Sequence, residues 1–332
     1  MKSPLSINDY AEGILLNREG SVQKDISVLS RAITLVESSK PEHQQLASQI
    51  LEKILPYTGN SVRIGITGVP GVGKSTFIEA FGQLLRKKGH KVAVLTIDPS
   101  STVSKGSILG DKTRMEFLSA QSDVFIRPSP SGGSLGGVER KTRESILLCE
   151  AAGFDHILVE TVGVGQSETE VHQLTDFFLL LMLAGAGDEL QGIKRGIMEM
   201  ADGIVITKAD GTNIEKAKAA RADYANAIHL FPPPESGWIP EVKICSSTEH
   251  KGIDEVYGMI EKYVRHTKAN NFFERKRRQQ NVFWFERLVQ ERIKEHFFGD
   301  KDFVQRYNDA KQKIANNELA TLSAAEQVFK TK

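Results

Sequence analysis

The sequence predicts an α/β protein whose mostly parallel, doubly wound sheet carries helices on both faces. Short apolar runs rich in β-branched residues alternate with helical segments between residues 62 and about 265. Such runs are typical of strands buried on both faces, and parallel strands need helical crossovers. The predicted strands are Val62–Thr67, Val92–Ile97, Val124–Arg127, His156–Glu160, Phe178–Leu183, Ile204–Thr207 and Val242–Cys245. Ligands of such sheets bind at the carboxyl ends of the strands, so residues that follow these strands are the candidate site residues.

Helical segments flank the predicted sheet on both sides. Residues 1–60 form a predicted N-terminal helical extension, because apolar residues recur there at helical spacing. Residues 61–268 form the sheet domain, and residues 269–332 form a C-terminal helical arm with a basic start and many aromatic residues.

Composition narrows the class of protein. The 332 residues are 40% hydrophobic and 26% charged, as in ordinary soluble proteins. The net charge of +1 offers no field that would attract nucleic acid or an anionic membrane. The start is not a secretory signal, and the longest apolar run is too short to span a bilayer. We therefore expect a cytoplasmic protein without nucleic-acid or membrane partners, with Cys149 and Cys245 buried and reduced.

The first predicted strand leads into a glycine-rich segment that fits the phosphate-loop pattern G-x-x-x-x-G-K-[ST] and precedes a helix. Its residues are Gly68, Val69, Pro70, Gly71, Val72, Gly73, Lys74, Ser75 and Thr76. Backbone N–H groups of such a loop and the following helix N-terminus point at an anion. Lys74 would reach the β- and γ-phosphates and Ser75 would hold Mg²⁺. The segment predicts a nucleoside triphosphate site in a P-loop NTPase; a glycine-rich turn without a ligand is the alternative.

Three carboxylates are candidates for the Mg²⁺ site. Asp98 follows the second strand, and Asp111 follows thirteen residues later, where a helix N-cap is an equal alternative. Glu160 ends the fourth strand, where the usual acid is Asp. Gly163 is placed to sense the γ-phosphate through its N–H, and Gln166 either orients the attacking water or is a surface amide.

The sixth strand ends in Thr207-Lys208-Ala-Asp210, which resembles the guanine-reading motif N-K-x-D. The Asp210 carboxylate can accept hydrogen bonds from guanine N1–H and N2–H₂, while the Lys208 stem packs along the base. Thr207 replaces the usual Asn, and a hydroxyl makes fewer hydrogen bonds than an amide, so we expect a weaker loop tether. Ser246 and Ser247 follow the last strand, where a backbone N–H would contact the guanine carbonyl. These residues favour GTP over ATP.

A further segment after the fifth strand, residues 184–200, carries glycines together with Asp188 and Lys194. We expect either a loop and amphipathic helix or a third mobile element beside the nucleotide. In the second case Lys194 or Arg195 is held away from the site until a partner protein moves it into position.

With these motifs the chain resembles the MeaB/ArgK/MMAA family of GTPases over nearly its whole length. The most specific runs begin at Asp98, Gly106, Glu160 and Gly185. The resemblance implies a GTP-hydrolysing, Mg²⁺-dependent chaperone with a low intrinsic rate. Such proteins gate adenosylcobalamin loading of an acyl-CoA mutase, chiefly methylmalonyl-CoA mutase, and protect that enzyme.

The resemblance also assigns roles to particular residues. Asp98, Asp111 and Glu160 match the Mg²⁺ and switch carboxylates, and Asp188 and Lys194 match a third switch that answers to the mutase. Family members are homodimers built through the C-terminal arm. The arm has an apolar helical face that we expect in the core, in a dimer contact or in mutase docking. Its residues are Phe285, Leu288, Val289, Arg292, Ile293 and Phe297.

Absent motifs limit the other interpretations. The sequence shows no C-x-x-C and no histidine cluster, which disfavours metal delivery. Asp155 and His156 are adjacent, so they do not form the cobalamin-ligating signature D-x-H-x-x-G, and the mutase itself would hold adenosylcobalamin. The alternatives are an ATP-dependent kinase of a transport system, a GTPase with a different cofactor-dependent client, and a scaffold without hydrolysis. Asp210 disfavours the kinase, and the intact phosphate-loop residues disfavour the scaffold.

Overall fold

The fold is known from a computed structural model of the chain. The residues that it describes are 5–18, 26–97, 115–128, 135–161, 167–184 and 195–329.

A seven-stranded sheet forms the centre of residues 1–277, in the order β3-β2-β4-β1-β5-β6-β7. Every neighbouring pair is parallel. The strands are β1 Val62–Gly68, β2 Val92–Ile97, β3 Val124–Pro128, β4 His156–Thr161, β5 Phe177–Leu183, β6 Gly203–Thr207 and β7 Glu241–Ile244. The predicted α/β class is therefore confirmed, and no strand end differs from its predicted position by more than one residue.

Helices alternate with the strands along the chain and also make up the sequence before and after the sheet. In chain order they are α1 Ile7–Leu16, α2 Ile26–Glu37, α3 Pro41–Ile54, α4 Lys74–Lys87, α5 Glu116–Ser119, α6 Leu135–Ala151, α7 Ser167–His172, α8 Arg195–Met200, α9 Ile214–Ile228, α10 Ile253–Ala269, α11 Phe272–Gly299, α12 Lys301–Ala315 and α13 Thr321–Phe329. Short 3₁₀ turns cover Leu55–Tyr57 and Gly211–Asn213. None of the helices in these described ranges combines the length and apolar character that a membrane span needs.

The core lies between the sheet and the helices that follow β1 and β7. Phe77, Phe81 and Leu85 recur every four residues on α4 and are fully buried. They pack with the buried strand residues Ile64 and Ile66. This apolar packing fixes α4 against β1, and so fixes the segment that joins them.

The chain divides into two compact units, residues 1–277 and residues 278–332. In the second unit a small core of Phe303, Ala310, Ala324 and Val328 joins α12 to α13. On α11, Phe285, Val289 and Ile293 are exposed in the single chain, with 66%, 39% and 51% of their surface accessible. These three side chains are therefore not part of the core.

Buried charges hold the amino ends of the central strands. Arg63 on β1 forms a two-pronged pair with Glu150 on α6, at 2.9 and 3.0 Å. Glu150 also accepts a hydrogen bond from the Ser61 hydroxyl at 2.6 Å and from the Gly59 N–H at 2.8 Å. Burial alone would raise the pKa of Glu150, but Arg63 and the other donors hold this pKa below its ordinary value.

A second buried pair joins the first turns of α11 to the same strand ends. Arg277 donates to both carboxylate oxygens of Asp176, at 2.7 and 2.6 Å. The Arg63 backbone N–H donates to Asp176 as well, at 2.8 Å. Burial would raise the pKa of Asp176, and Arg277 reverses that shift to a net lowering. The start of α11 is thus held to the sheet by ionic contacts.

The two cysteines are buried and carry no disulfide, as expected. Burial raises the pKa of Cys245 to about 12 and raises that of Cys149 further. Neither thiol has the ionised character that reactivity requires.

Candidate nucleotide-binding site

The phosphate loop joins the carboxyl end of β1 to the start of α4, and its backbone requires glycine at two positions. Gly68 has φ +150°, and a Cβ there would lie 2.5 Å from the carbonyl oxygen of Leu181 on β5. Gly73 caps α4 in a left-handed conformation with φ +95°. Residues with a side chain rarely adopt these angles, so the glycine spacing specifies the curl of the loop.

Lys74 crosses this loop and is 9% exposed. Its Nζ donates to the carbonyl oxygens of Gly68 at 2.7 Å and Val69 at 3.3 Å. Burial lowers the pKa of Lys74, while the negative charges of Glu160 and Glu168 oppose that shift. A desolvated cation held by neutral carbonyls at a helix N-terminus is suited to an anionic ligand.

Ser75 and Glu160 meet beside Lys74. The Ser75 hydroxyl donates to Glu160 Oε1 at 3.0 Å, and Glu160 is 6% exposed. The contact forms because β1 and β4 are neighbours, with Ile66 opposite Glu160. A hydroxyl and a carboxylate side by side supply the hard oxygen ligands that Mg²⁺ prefers, so these two residues fit the predicted metal.

Thr207 connects the segment that is predicted to read the base to the phosphate loop. Its hydroxyl lies 2.7 Å from the carbonyl oxygen of Val72 and 3.2 Å from that of Met182. A hydroxyl has one hydrogen to donate, so the shorter contact with Val72 is the main bond. The Thr207 side chain therefore makes the contact between the two loops with one hydrogen bond.

Asp210 is oriented by side chains that follow β7. The Ser246 hydroxyl donates to Asp210 Oδ2 at 2.8 Å, and the Thr248 hydroxyl approaches the same oxygen at 3.3 Å. Each carboxylate oxygen accepts two hydrogen bonds, so Asp210 keeps capacity for guanine N1–H and N2–H₂. Lys208, two residues earlier, is exposed and has φ +55°. A lysine in the left-handed region is uncommon.

Two contributing residues were missed by the sequence analysis. Glu168, 1% exposed at the start of α7, adds a negative charge near Lys74. Thr248 supports Asp210 through its hydroxyl, whereas only a backbone N–H after β7 was expected to contact the base. The Ser246-Ser247-Thr248 run of hydroxyl residues after a strand was the available signal.

The remaining predicted site residues have no described structure. Asp98, Asp111, Gly163, Gln166, Asp188 and Lys194 lie outside the described residues. The described part of the predicted site consists of the phosphate loop, Glu160 and the two segments that are predicted to read the base.

Comparisons with known proteins identify the family of the chain. The family model "Methylmalonyl Co-A mutase-associated GTPase MeaB" matches residues 29–302. The chain is 47% identical over 318 residues to "GTPase ArgK" of Escherichia coli, covering 96% of this chain and 95% of that protein. It is 40% identical over 343 residues to the mouse "Methylmalonic aciduria type A homolog, mitochondrial", covering 98% of this chain and 83% of that protein.

A solved structure resembles the chain over its whole length. It is described as "Crystal structure of LAO/AO transport system kinase", with a TM-score of 0.78, 40% identity and 98% of each chain covered. The family match and the two relatives cover most of the sequence at high identity. The chain therefore belongs to the MeaB family of methylmalonyl-CoA mutase-associated GTPases.

Proposed function

We propose that this protein is a Mg²⁺-dependent GTPase of low intrinsic rate that serves an adenosylcobalamin-dependent acyl-CoA mutase, chiefly methylmalonyl-CoA mutase. It gates loading of the cofactor and protects the loaded enzyme. The observation that carries the nucleotide part is the group of Lys74, Ser75 and Glu160 at one strand end. The family match and the methylmalonic aciduria relatives support the mutase as client.

The described residues divide the work of binding GTP. Backbone N–H groups of Val69, Gly71 and Gly73, together with the Lys74 ammonium, hold the β- and γ-phosphates, because the loop opens at a helix N-terminus. Ser75 and Glu160 would hold Mg²⁺, which when bound neutralises charge on the phosphates. Asp210 selects guanine, since adenine would leave its carboxylate unpaired.

We also propose roles for the residues of the predicted switches. Gly163 senses the γ-phosphate and Gln166 orients the attacking water. Asp98 and Asp111 join the Mg²⁺ site, and in the third switch Asp188 and Lys194 respond to the mutase. Hydrolysis is slow alone because the partner completes this arrangement.

The C-terminal arm supports a second copy of the chain as a partner. The exposed residues Val282, Phe285, Val289 and Ile293 recur at three- or four-residue spacing along α11. An exposed apolar stripe of this kind is suited to burial against another helix. We propose a homodimer through residues 269–332, with residues 1–60 as a helical extension and residues 61–268 as the GTPase domain. The proposal also places the protein in the cytoplasm with its client, which holds the adenosylcobalamin.

The deciding experiment compares GTP and ATP hydrolysis with and without purified methylmalonyl-CoA mutase. We expect turnover selective for GTP that rises when the mutase is added. The Lys74→Ala variant, purified identically, controls for contaminating hydrolases and should show no stimulated turnover.

Other results would select the alternatives. GTP turnover that ignores the mutase would indicate a different client. The similarity to a solved protein called a transport system kinase favours a transport kinase as second candidate. ATP preference with phosphate transfer to an acceptor other than water would support that candidate and contradict the role given to Asp210.

A further inference from the structure

Two histidines and an aspartate meet at the end of the sheet opposite the phosphate loop. Ligand atoms of His90, Asp155 and His156 all lie within 4.8 Å of one another. His90 Nδ1 is 3.4 Å and His156 Nδ1 is 2.8 Å from Asp155 Oδ1. The sequence itself shows no histidine cluster, because His90 and His156 are far apart along the chain and folding brings them together.

Backbone hydrogen bonds hold the three residues in register. His90 lies in the turn between α4 and β2, and His156 is the first residue of β4. The N–H groups of Asp155 and His156 both donate to the carbonyl oxygen of Lys91, at 3.1 and 3.2 Å. The two imidazoles and the carboxylate are thus presented by adjacent, hydrogen-bonded strand ends rather than by independent loops.

The spacing suits a tetrahedral transition-metal ion. Two ligands of such a zinc ion, each at about 2.0–2.2 Å, lie about 3.4 Å apart. The His90–Asp155 separation already has this value. The His156–Asp155 distance is shorter, at 2.8 Å, so a small rotation of the 43% exposed Asp155 side chain would be needed to seat an ion.

The surroundings also suit an ion. His90 Nε2 lies 3.3 Å from the hydroxyl of Tyr257 on α10. Metal-binding histidines commonly use their second nitrogen in such a bond, which orients the ring. The His156 side chain is 5% exposed, whereas those of His90 and Asp155 are 27% and 43% exposed. Solvent therefore reaches the cluster on one side and can supply a fourth ligand.

We propose that His90, Asp155 and His156 bind a divalent transition-metal ion of the Zn²⁺ class. Two imidazole nitrogens favour zinc and similar ions, whereas Mg²⁺ and Ca²⁺ prefer oxygen ligands. This site is separate from the oxygen site of Ser75 and Glu160, which lies at the carboxyl ends of the strands. The bound ion ties the α4–β2 turn to the start of β4, so it stabilises the folded chain by mass action.

The test uses the full-length protein, stripped with a chelator and then kept in excess Mg²⁺ and GDP so that Mg²⁺ occupies the nucleotide site. Zn²⁺ is added, metal content is measured after desalting, and affinity is measured by calorimetric titration. The variants are His90→Gln and Asp155→Asn, both at partly exposed positions. The matched control is His229→Gln, an exposed histidine at the end of α9.

We expect about one Zn²⁺ per chain in the wild type and in His229→Gln, with a raised melting temperature. Affinity should fall at least tenfold in His90→Gln and Asp155→Asn, while their GTP turnover stays at the wild-type value. Co²⁺ should give d–d absorption bands in the wild type that both variants lose. A wild type that retains no Zn²⁺ would show that the cluster is a hydrogen-bonded structural feature only. Equal binding by His90→Gln and the wild type would place the ion elsewhere, and either result overturns the proposal.

Discussion

Buried charged side chains have different kinds of partner at the two ends of this sheet. At the amino ends, the buried guanidinium groups of Arg63 and Arg277 meet the carboxylates of Glu150 and Asp176. At the carboxyl ends, the Lys74 ammonium is held mainly by backbone carbonyls. A buried charge with a fixed partner holds elements together, whereas a buried cation on neutral groups retains its attraction for an anionic ligand. Substitutions at the first end should therefore affect stability, and those at the second end should affect nucleotide binding.

The largest expected effect is on stability, from Glu150→Gln. The change leaves Arg63 buried without its anion, which costs about 3–5 kcal/mol of unfolding free energy. Chemical denaturation measures the loss, and GTP turnover per folded molecule should be unchanged. The exposed Glu255→Gln is the matched control and should be nearly neutral. A loss below about 1 kcal/mol for Glu150→Gln would remove the distinction between the two ends.

The same carboxylates predict the direction of acid unfolding. The folded pKa values of Glu150 and Asp176 lie below their ordinary values of 4.5 and 3.8. Their contribution is therefore fully present above those ordinary values and is lost as pH falls through the lower, folded ones. Asp202 has the opposite effect on stability as pH falls, because burial raises its pKa despite the nearby charge of Lys276. Denaturation midpoints should fall steeply below about pH 4.5, and a flat profile there would contradict the ionic role.

Lys74→Ala should show the reverse pattern. Loss of the ammonium should reduce kcat/KM for GTP by about a hundred- to a thousandfold, as for removal of one key electrostatic donor. The melting temperature without nucleotide should stay equal or rise, since a desolvated cation has been removed. Calorimetry and steady-state kinetics measure the two effects. Unaltered GTP binding by this variant would refute the phosphate-loop assignment.

Asp210→Asn tests base selection at the same end. The carboxamide can still accept from Ser246, but its NH₂ faces the guanine donors, so kcat/KM for GTP should fall about ten- to a hundredfold. Xanthosine triphosphate, which has a carbonyl at position 2, should become the better substrate. Competition between the two nucleotides measures the ratio. Unchanged selectivity would show that another residue reads the base.

The smallest expected effect comes from Thr207→Val. The change removes the hydroxyl that bonds the Val72 carbonyl and keeps the side-chain volume, so GDP affinity should weaken by about 0.5–1.5 kcal/mol. Thr207→Ser keeps the hydroxyl and should bind GDP as the wild type does. Equal affinity of the valine and serine variants would mean that the tether does not contribute to binding.

Much of the fold and part of the site could be predicted because the residues that indicate them are contiguous in the sequence. The strands are short apolar runs, and the glycines of residues 68–73 define the local backbone before any distant contact forms. The role of Ser246 was harder to predict, because its side chain rather than its backbone supports Asp210. The contribution of Glu168 depends on where α7 begins relative to Lys74, which no local pattern encodes.

By itself the sequence determined the parallel α/β class, the phosphate loop and the guanine motif, since each depends on residue type at fixed local spacing. The tertiary structure decided which distant groups meet. The sheet order places β4 beside β1 and β2, which sets Glu160 on Ser75 at one edge and His156 near His90 at the other. Those contacts depend on long-range strand pairing, which is driven by the burial of apolar side chains. The apolar pattern does not specify which polar side chains come together at the strand ends.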